Sequence, residues 1–347
     1  MFWGFAGGLP LAGRLTTLTF TIIEVFMRRF LAIIAVPLLA CLVIAACGSS
    51  KPAPAASPTA NANSAVKVSG AFGTTPAVNI PKLKATGKLT VKTVIQGTGT
   101  TVTKTDSMAA NFVLYFWDGT SSTLKANTFT TNPTMIGGTM LPGLQSALIG
   151  QKVGSRILAV VPPVDAYGTS GNAQLGISGT TTLVFVIDVI KSYTNTASAS
   201  GAQETSGGGT LPTVSAHPGG GPTVAIPASA PPSKLVATTL IKGSGPKVVK
   251  GQYIIAQYAG YIWRTKKVFD SSWTSRAPFG FVVQASPEQA ITGWDTGLVG
   301  QTVGSRVMLV LPPKDAYGTS GEAQAGITGT DTLVFVVDII DALKLTS

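Results

Sequence analysis

Side chains that usually serve as nucleophiles, metal ligands or fixed bases are scarce in this chain. Its one histidine, His217, stands in His-Pro-Gly-Gly-Gly, a setting that does not hold an imidazole in place. Its two cysteines, Cys41 and Cys47, both lie near the N-terminus. This distribution argues against a disulfide framework, a Cys/His nucleophile and a Cys/His zinc site. No metal and no cofactor is expected. Among the remaining candidates, Asp270 directly follows Phe269, and an unpaired carboxylate is costly to bury among rings. Phe279 and Phe335, taken singly, read as core. Tyr317, in Ala-Tyr-Gly, reads equally as a turn tyrosine or a functional hydroxyl. Arg156 and Arg306, each in Val-Gly-Ser-Arg, read as structural.

The elements that would position these residues come in two copies. Residues 150–190 and 300–340 agree at about 29 of 41 positions at an offset of 150. A repeat this long, occurring twice, means duplicated domains rather than a solenoid. The match extends upstream with gaps: Val94–Gly99 matches Leu240–Gly245, and Tyr115-Phe116-Trp117 matches Tyr261-Ile262-Trp263. Arg306–Leu311 and Thr332–Ile340 are β-branched and aliphatic runs bounded by Gly and Pro, which predicts strands. One helix is predicted over Pro287–Leu298, from a proline and an acid in its first turn and Gly300 after its end. Many strands with one short helix predict an α+β domain whose sheet curls over that helix.

Around these copies the chain changes character. Met27-Arg28-Arg29 is a basic start, and Phe30–Ala46 is an unbroken apolar run leading to Ile44-Ala45-Ala46-Cys47. This reads as a secretory signal and resembles a bacterial lipobox, which implies cleavage before Cys47 and lipidation of its sulfur. An uncleaved transmembrane anchor is the other reading, since about 17 apolar residues just span a bilayer. Both place the rest of the chain outside the cytoplasmic membrane. Residues 1–26 do not fit the signal, and translation is expected to start at Met27. The expected division is then 1–46 for the extension and signal, 47–65 for a disordered tether and 66–193 for domain 1. A Gly/Ser/Pro linker over 194–221 and domain 2 over 222–347 complete it. Charged residues are only 11% of the chain, against about 25% in ordinary globular proteins, and the net charge is +11. The basic residues are scattered without interleaved aromatics, so nucleic acid is not an expected partner.

The second copy carries a recognisable set of motifs. Tyr258-Ala-Gly, Val268-Phe269-Asp270, Ala277-Pro278-Phe279, Ile291-Thr-Gly-Trp294, Val303-Gly-Ser-Arg306, Pro312-Pro313, Ala316-Tyr317-Gly318 and Thr332-Leu-Val-Phe335 occur in order across residues 234–341. Jointly they resemble the FKBP-type peptidyl-prolyl cis-trans isomerases. The resemblance implies two tandem domains, each an antiparallel half-barrel wrapped on a short helix. It also implies an apolar pocket for a proline ring, lined by Tyr258, Phe269, Asp270, Phe279, Ala290, Ile291, Trp294, Tyr317, Ile327 and Phe335. Trp294 would be its floor and Phe269, Phe279 and Phe335 its walls. The Ile291 N–H and the Tyr317 hydroxyl would bind substrate carbonyls. Proline-containing unfolded or secreted polypeptides would be the partners, with a macrolide as a further ligand.

In the first copy, Phe112 aligns with Tyr258, Leu141 with Ile291 and Leu144 with Trp294, while Tyr167 and Phe185 are retained. Phe269-Asp270 falls on Thr123-Leu124 or on Leu124-Lys125, and Met135 is nearest to Phe279. Domain 1 is therefore expected to fold like domain 2 with little isomerase activity or none. A membrane-tethered folding enzyme, a non-catalytic peptide-binding lipoprotein and a structural spacer remain as readings of the whole chain.

Overall fold

The computed structural model describes residues 61–215 and 221–345. The leader, Cys47 and most of the expected tether lie outside them. Domain 1 contains a small hairpin, β1 (Lys67–Ser69) and β2 (Ala77–Asn79), then β3 (Thr90–Ile95), β4 (Asp106–Asp118), β5 (Ser121–Asn127), β6 (Thr134–Ile136), helix α1 (Pro142–Leu148), β7 (Arg156–Val161) and β8 (Thr182–Thr194). Strand β9 (Gly201–Gln203) follows. Domain 2 repeats the plan: hairpin β10 (Thr213–Ser215) and β11 (Thr223–Ala225), then β12 (Val236–Gly243), β13 (Tyr253–Ile262), β14 (Lys267–Ser271), α2 (Ser272–Ser275), β15 (Phe279–Val282), α3 (Thr292–Leu298), β16 (Arg306–Leu311) and β17 (Leu333–Leu343). The main sheets are antiparallel, ordered β3-β7-β8-β4-β5 and β14-β13-β17-β16-β12-β9, with β6 on β4 and β15 on β13. Each domain is thus an α+β unit: α1 packs against the first sheet, and α3, with the single turn α2, against the second.

Strands β16 and β17 are continuous apolar runs because both faces of the sheet are covered. On one face Trp294 and Leu298 of α3 pack with Ile254, Phe281, Val307, Leu309 and Phe335. On the other, Val214 and Ile226 cover Leu240, Met308, Val310, Val334 and Val336. In domain 1 the second face is covered by Ala62 and Val66, with Val68, Val78 and Ile80 beside them. A strand buried on both sides has no use for the polar residues that alternation would supply.

Two segments expected to be free chain are therefore ordered. At the end of the expected tether, Asn63 is buried; its Nδ2 donates to the Lys88 carbonyl at 2.8 Å and its Oδ1 accepts from Thr86 N–H at 3.0 Å. Within the expected linker, β9 pairs with β12, β10 pairs with β11, and Ala199 N–H donates to Asp338 at 2.8 Å. Small polar residues hid these strands, because pairing to a preformed sheet edge requires backbone groups rather than apolar side chains. The helix also differs from expectation: α3 begins at Thr292, not Pro287. The residues before it form a loop held by Gln284 N–H donating to Asp295 at 2.7 Å and Val282 N–H donating to Gln289 at 2.9 Å.

Each sheet is fastened by one buried ion pair. Arg156 contacts Asp188 at 2.6 and 2.8 Å, and Arg306 contacts Asp338 at 2.6 and 2.8 Å. Both arginines lie on central strands, in keeping with a structural role.

Candidate active site

Strand β13 alternates, so Tyr258, Gly260 and Ile262 share one face. Strand β14 lies beside it, with Asp270 opposite Gly260 and Val268 opposite Tyr261. Phe269 is the extra residue of a β-bulge. A regular strand would send Phe269 and Asp270 to opposite faces; the bulge turns both toward Tyr258 and Phe335. The Tyr258 hydroxyl donates to the Asp270 carboxylate. Below them, Ser272 Oγ accepts from the Tyr258 N–H at 2.7 Å.

The rings meet edge to face. Trp294, in the first turn of α3, lies 5.2 Å from Tyr258, 5.4 Å from Phe335 and 6.1 Å from Phe279, with interplanar angles of 79°, 88° and 81°. Phe269 stands against Phe335 at 5.6 Å and 87°. Such edge-on contacts set the electropositive rim of one ring on the electron-rich face of the next. Fully buried Phe281 lies beneath, 5.5 Å from Trp294 and stacked at 5.5 Å on Phe279. Among the described residues, Nε1 of Trp294 is buried without a hydrogen-bond partner.

Ala290 and Ile291 are half-buried against this cluster, as are Tyr317, Phe269 and Phe279, whereas Ile327 is buried within it. Ile291 is the residue that caps α3, so its own N–H stands outside the helical ladder. Thus nine of the ten residues that the resemblance implied lie in or against one cluster and Asp270 joins it through Tyr258, while Cys47 lies outside the described residues. Next to Trp294, Asp295 is buried, and burial raises its pKa, with the Gln284 N–H opposing and the Glu288 charge adding.

Gly260 was not singled out by sequence. A Cβ there would lie 2.6 Å from Cζ of Phe269 and 2.8 Å from Cε1 of Phe335. Only glycine admits both rings. The clue was present in the alignment of Tyr261 with Tyr115, which sets Gly260 against Leu114.

The strand registers settle the equivalences in domain 1. Leu114 pairs with Ala126 and Tyr115 with Leu124, leaving Lys125 in the bulge. Phe269-Asp270 therefore corresponds to Lys125-Ala126, two residues beyond one expected alignment and one beyond the other. The shift arises because the β4–β5 turn is two residues longer than its counterpart: six residues separate the paired Phe116 and Thr123, and four separate Ile262 and Lys267. Likewise Thr134, paired with Ala110, holds the position of Phe279, and Met135 holds that of Gly280. Lys125 is exposed, with its ammonium 5.1 Å from the Phe116 ring. Leu114 is buried among Phe112, Leu141, Leu144 and Phe185. Domain 1 has neither the acid, the indole nor the open glycine.

Comparison with known proteins gives the family. The family model described as FKBP-type peptidyl-prolyl cis-trans isomerase matches residues 98–190 and 245–340. An FK506-binding protein of Streptomyces anulatus is 36% identical over 119 residues, covering 34% of this chain and 94% of that protein. A probable FK506-binding protein of Corynebacterium glutamicum is 35% identical over 121 residues, covering 35% of this chain and 98% of that one. Over a longer stretch, the rat peptidyl-prolyl cis-trans isomerase FKBP9 is 26% identical across 238 residues, 67% of this chain and 35% of that protein. The matched regions span more than half of the chain and fall one on each copy of the fold: this is a member of the FKBP-type peptidyl-prolyl cis-trans isomerase family with two such domains in tandem.

Proposed function

We propose that domain 2 carries the isomerase activity and that domain 1 contributes little catalysis. The observation that carries this is the box of Tyr258, Phe269, Phe279, Trp294 and Phe335 around Gly260, edged by the Tyr258–Asp270 hydrogen bond. Rotation about a peptide bond must break resonance, at a cost of about 18–20 kcal/mol. The twisted Xaa-Pro imide has lost conjugation and is less polar than the planar ground state. An aromatic pocket that excludes water therefore favours it relative to solvent, which stabilises the planar dipole. The Ile291 N–H and Tyr317 hydroxyl supply hydrogen bonds to carbonyls flanking the proline, stronger in the twisted geometry than in the planar one. Each ~1.4 kcal/mol of this difference accelerates exchange about tenfold.

The substrates on this reading are proline-containing, unfolded or secreted polypeptides. A macrolide of the FK506 class occupies the same box. Cys47 carries a lipid that holds the domains at the extracytoplasmic face of the membrane. Metabolic labelling with a palmitate analogue, lost in Cys47→Ser, tests the anchor. For catalysis, cis-trans exchange of an Xaa-Pro tetrapeptide is followed by NMR. Acceleration by the chain, blocked by FK506 and lost in Trp294→Leu, is the expected result. Activity retained in a folded Trp294→Leu variant would move catalysis out of domain 2.

A further inference from the structure

The two domains meet through their equivalent faces. In domain 1, Ala109 of β4 is registered with Met135 of β6 on one side and Lys191 of β8 on the other. In domain 2, Ile255 of β13 is registered with Gly280 of β15 and Asp341 of β17. A bulge follows both rows at the same place, where Ala110 pairs with Val189 and Ala256 with Ile339. The rows Met135–Ala109–Lys191 and Gly280–Ile255–Asp341 therefore hold the same three positions of the fold.

These rows face one another. A Cβ on Gly280 would lie 2.8 Å from Cγ of Met135. Ala109 and Ile255 share one buried cluster with Met135, Tyr193, Tyr253 and Val282. Lys191 forms an ion pair with Asp341, whose carboxylate also accepts from the Tyr193 hydroxyl at 2.9 Å. The same patch on both partners is what a two-fold interface requires. Here every self-facing position holds an unlike pair: Met against Gly, Ala against Ile, Lys against Asp. Two copies of domain 1 would oppose Lys191 to itself, and two copies of domain 2 would oppose Asp341 to itself. The divergence of the repeats thus favours one domain on the other and penalises either on its own kind.

The interface reaches the pocket. Gly280 is the neighbour of Phe279 in β15, on the opposite face of that strand. At the start of the same segment, a Cβ on Gly138 of domain 1 would lie 2.8 Å from the Ser275 carbonyl oxygen. Domain 1 therefore abuts the segment Ser275–Gly280 at both ends. We propose that domain 1 is a positioning partner for the domain 2 pocket: its docked face holds β15, and with it the Phe279 wall, and the Lys191–Asp341 pair specifies the docking. Only the kinetic arm of the test rests on domain 2 being the working site.

The experiment uses the full chain and the variants Lys191→Asp, Asp341→Lys and the double exchange. Two readouts are followed, the ¹⁵N–¹H resonance of Phe279 and the KM and kcat for an Xaa-Pro tetrapeptide. Each single variant should shift the Phe279 resonance and raise KM about fivefold, the size of a modest coupling between sites. The double exchange should return both to within about twofold of the parent, which a generally damaged fold would not do. Unchanged Phe279 resonances in both single variants, or a double exchange that fails to recover, would overturn the proposal. A parent chain with no isomerase activity would defeat the functional reading alone, and the Phe279 resonance would still decide the docking.

Discussion

Gly260 and Leu114 stand at the same place in two copies of one fold, and the difference between a hydrogen and an isobutyl group decides whether two phenyl rings can lie against the strand. Gly260 pairs with Phe335 and Asp270; Leu114 pairs with Phe185 and Ala126. At Gly260 the Phe269 and Phe335 rings approach the backbone directly. At Leu114 the side chain joins the core. Gly260→Leu is expected to lower kcat/KM at least about 100-fold, near 2.7 kcal/mol of lost transition-state binding. Peptide exchange by NMR checks this, with circular dichroism to establish that the sheet is intact. A folded variant with parental activity would refute the role given to the glycine.

Tyr258 and Asp270 are expected to behave as one unit. Tyr258→Phe removes the hydroxyl that donates to the carboxylate, and Asp270→Ala removes the carboxylate that accepts from it; each should cost about 1–2 kcal/mol. The double change reproduces the Phe112/Ala126 combination of domain 1 and should cost less than the sum. Urea unfolding of the four species gives the coupling. Strict additivity would show that the hydrogen bond contributes nothing.

Acid stability should distinguish the domains. Asp331 accepts from Arg264 at 2.8 and 2.9 Å, and that bond, opposed by burial and helped by Thr328, holds its pKa down to about 2. A carboxyl whose pKa is lower folded than unfolded contributes stability above the ordinary value near 3.9, and that contribution is lost as pH falls through about 2. Domain 1 has Thr181 donating to Asp118 at 2.7 Å in this place. Arg264→Gln should therefore raise the acid-unfolding midpoint of domain 2 signals while leaving those of domain 1 in place. Heteronuclear NMR across an acid titration reports both domains; an unmoved midpoint would contradict the assignment.

The covering hairpin makes the start of domain 2 consequential. A fragment beginning at residue 222 lacks β9 and β10, and with them Val214 and Leu211 over the outer sheet face. It should be less stable than a fragment beginning at residue 196 by roughly 3 kcal/mol, from two apolar side chains at about 1.5 kcal/mol each. Equal urea midpoints would mean that the hairpin covers the sheet without stabilising it.

The duplication and the predominance of strands were legible because they reside in residue types at fixed spacing; the grouping of the aromatics was implied only by the family resemblance, since Phe279 and Phe335 taken singly read as core. Domain 1's loss of the acid was legible for the same reason, whichever alignment was used. Its register was not: Lys125-Ala126 matches Phe269-Asp270 only through the paired strand, since a bulge is defined by the partner and leaves no mark in one strand alone. The hairpin repeat was nearer the surface of the sequence, with Thr213-Val-Ser and Pro222-Thr-Val-Ala-Ile-Pro echoing Lys67-Val-Ser and Pro76-Ala-Val-Asn-Ile-Pro at an offset of 146. Gly and Pro around it gave the appearance of a linker.

By itself, then, the sequence determined the family, the two copies and which side chains each copy carries, because these depend on residue types alone. Only the tertiary structure decided that the Phe269 and Phe335 rings lie against Gly260, that β9 joins the second sheet and that Met135 meets Gly280. Those outcomes depend on distances between residues far apart in the chain, and close packing, which leaves no room for one additional Cβ, is a property of the folded pair rather than of either segment.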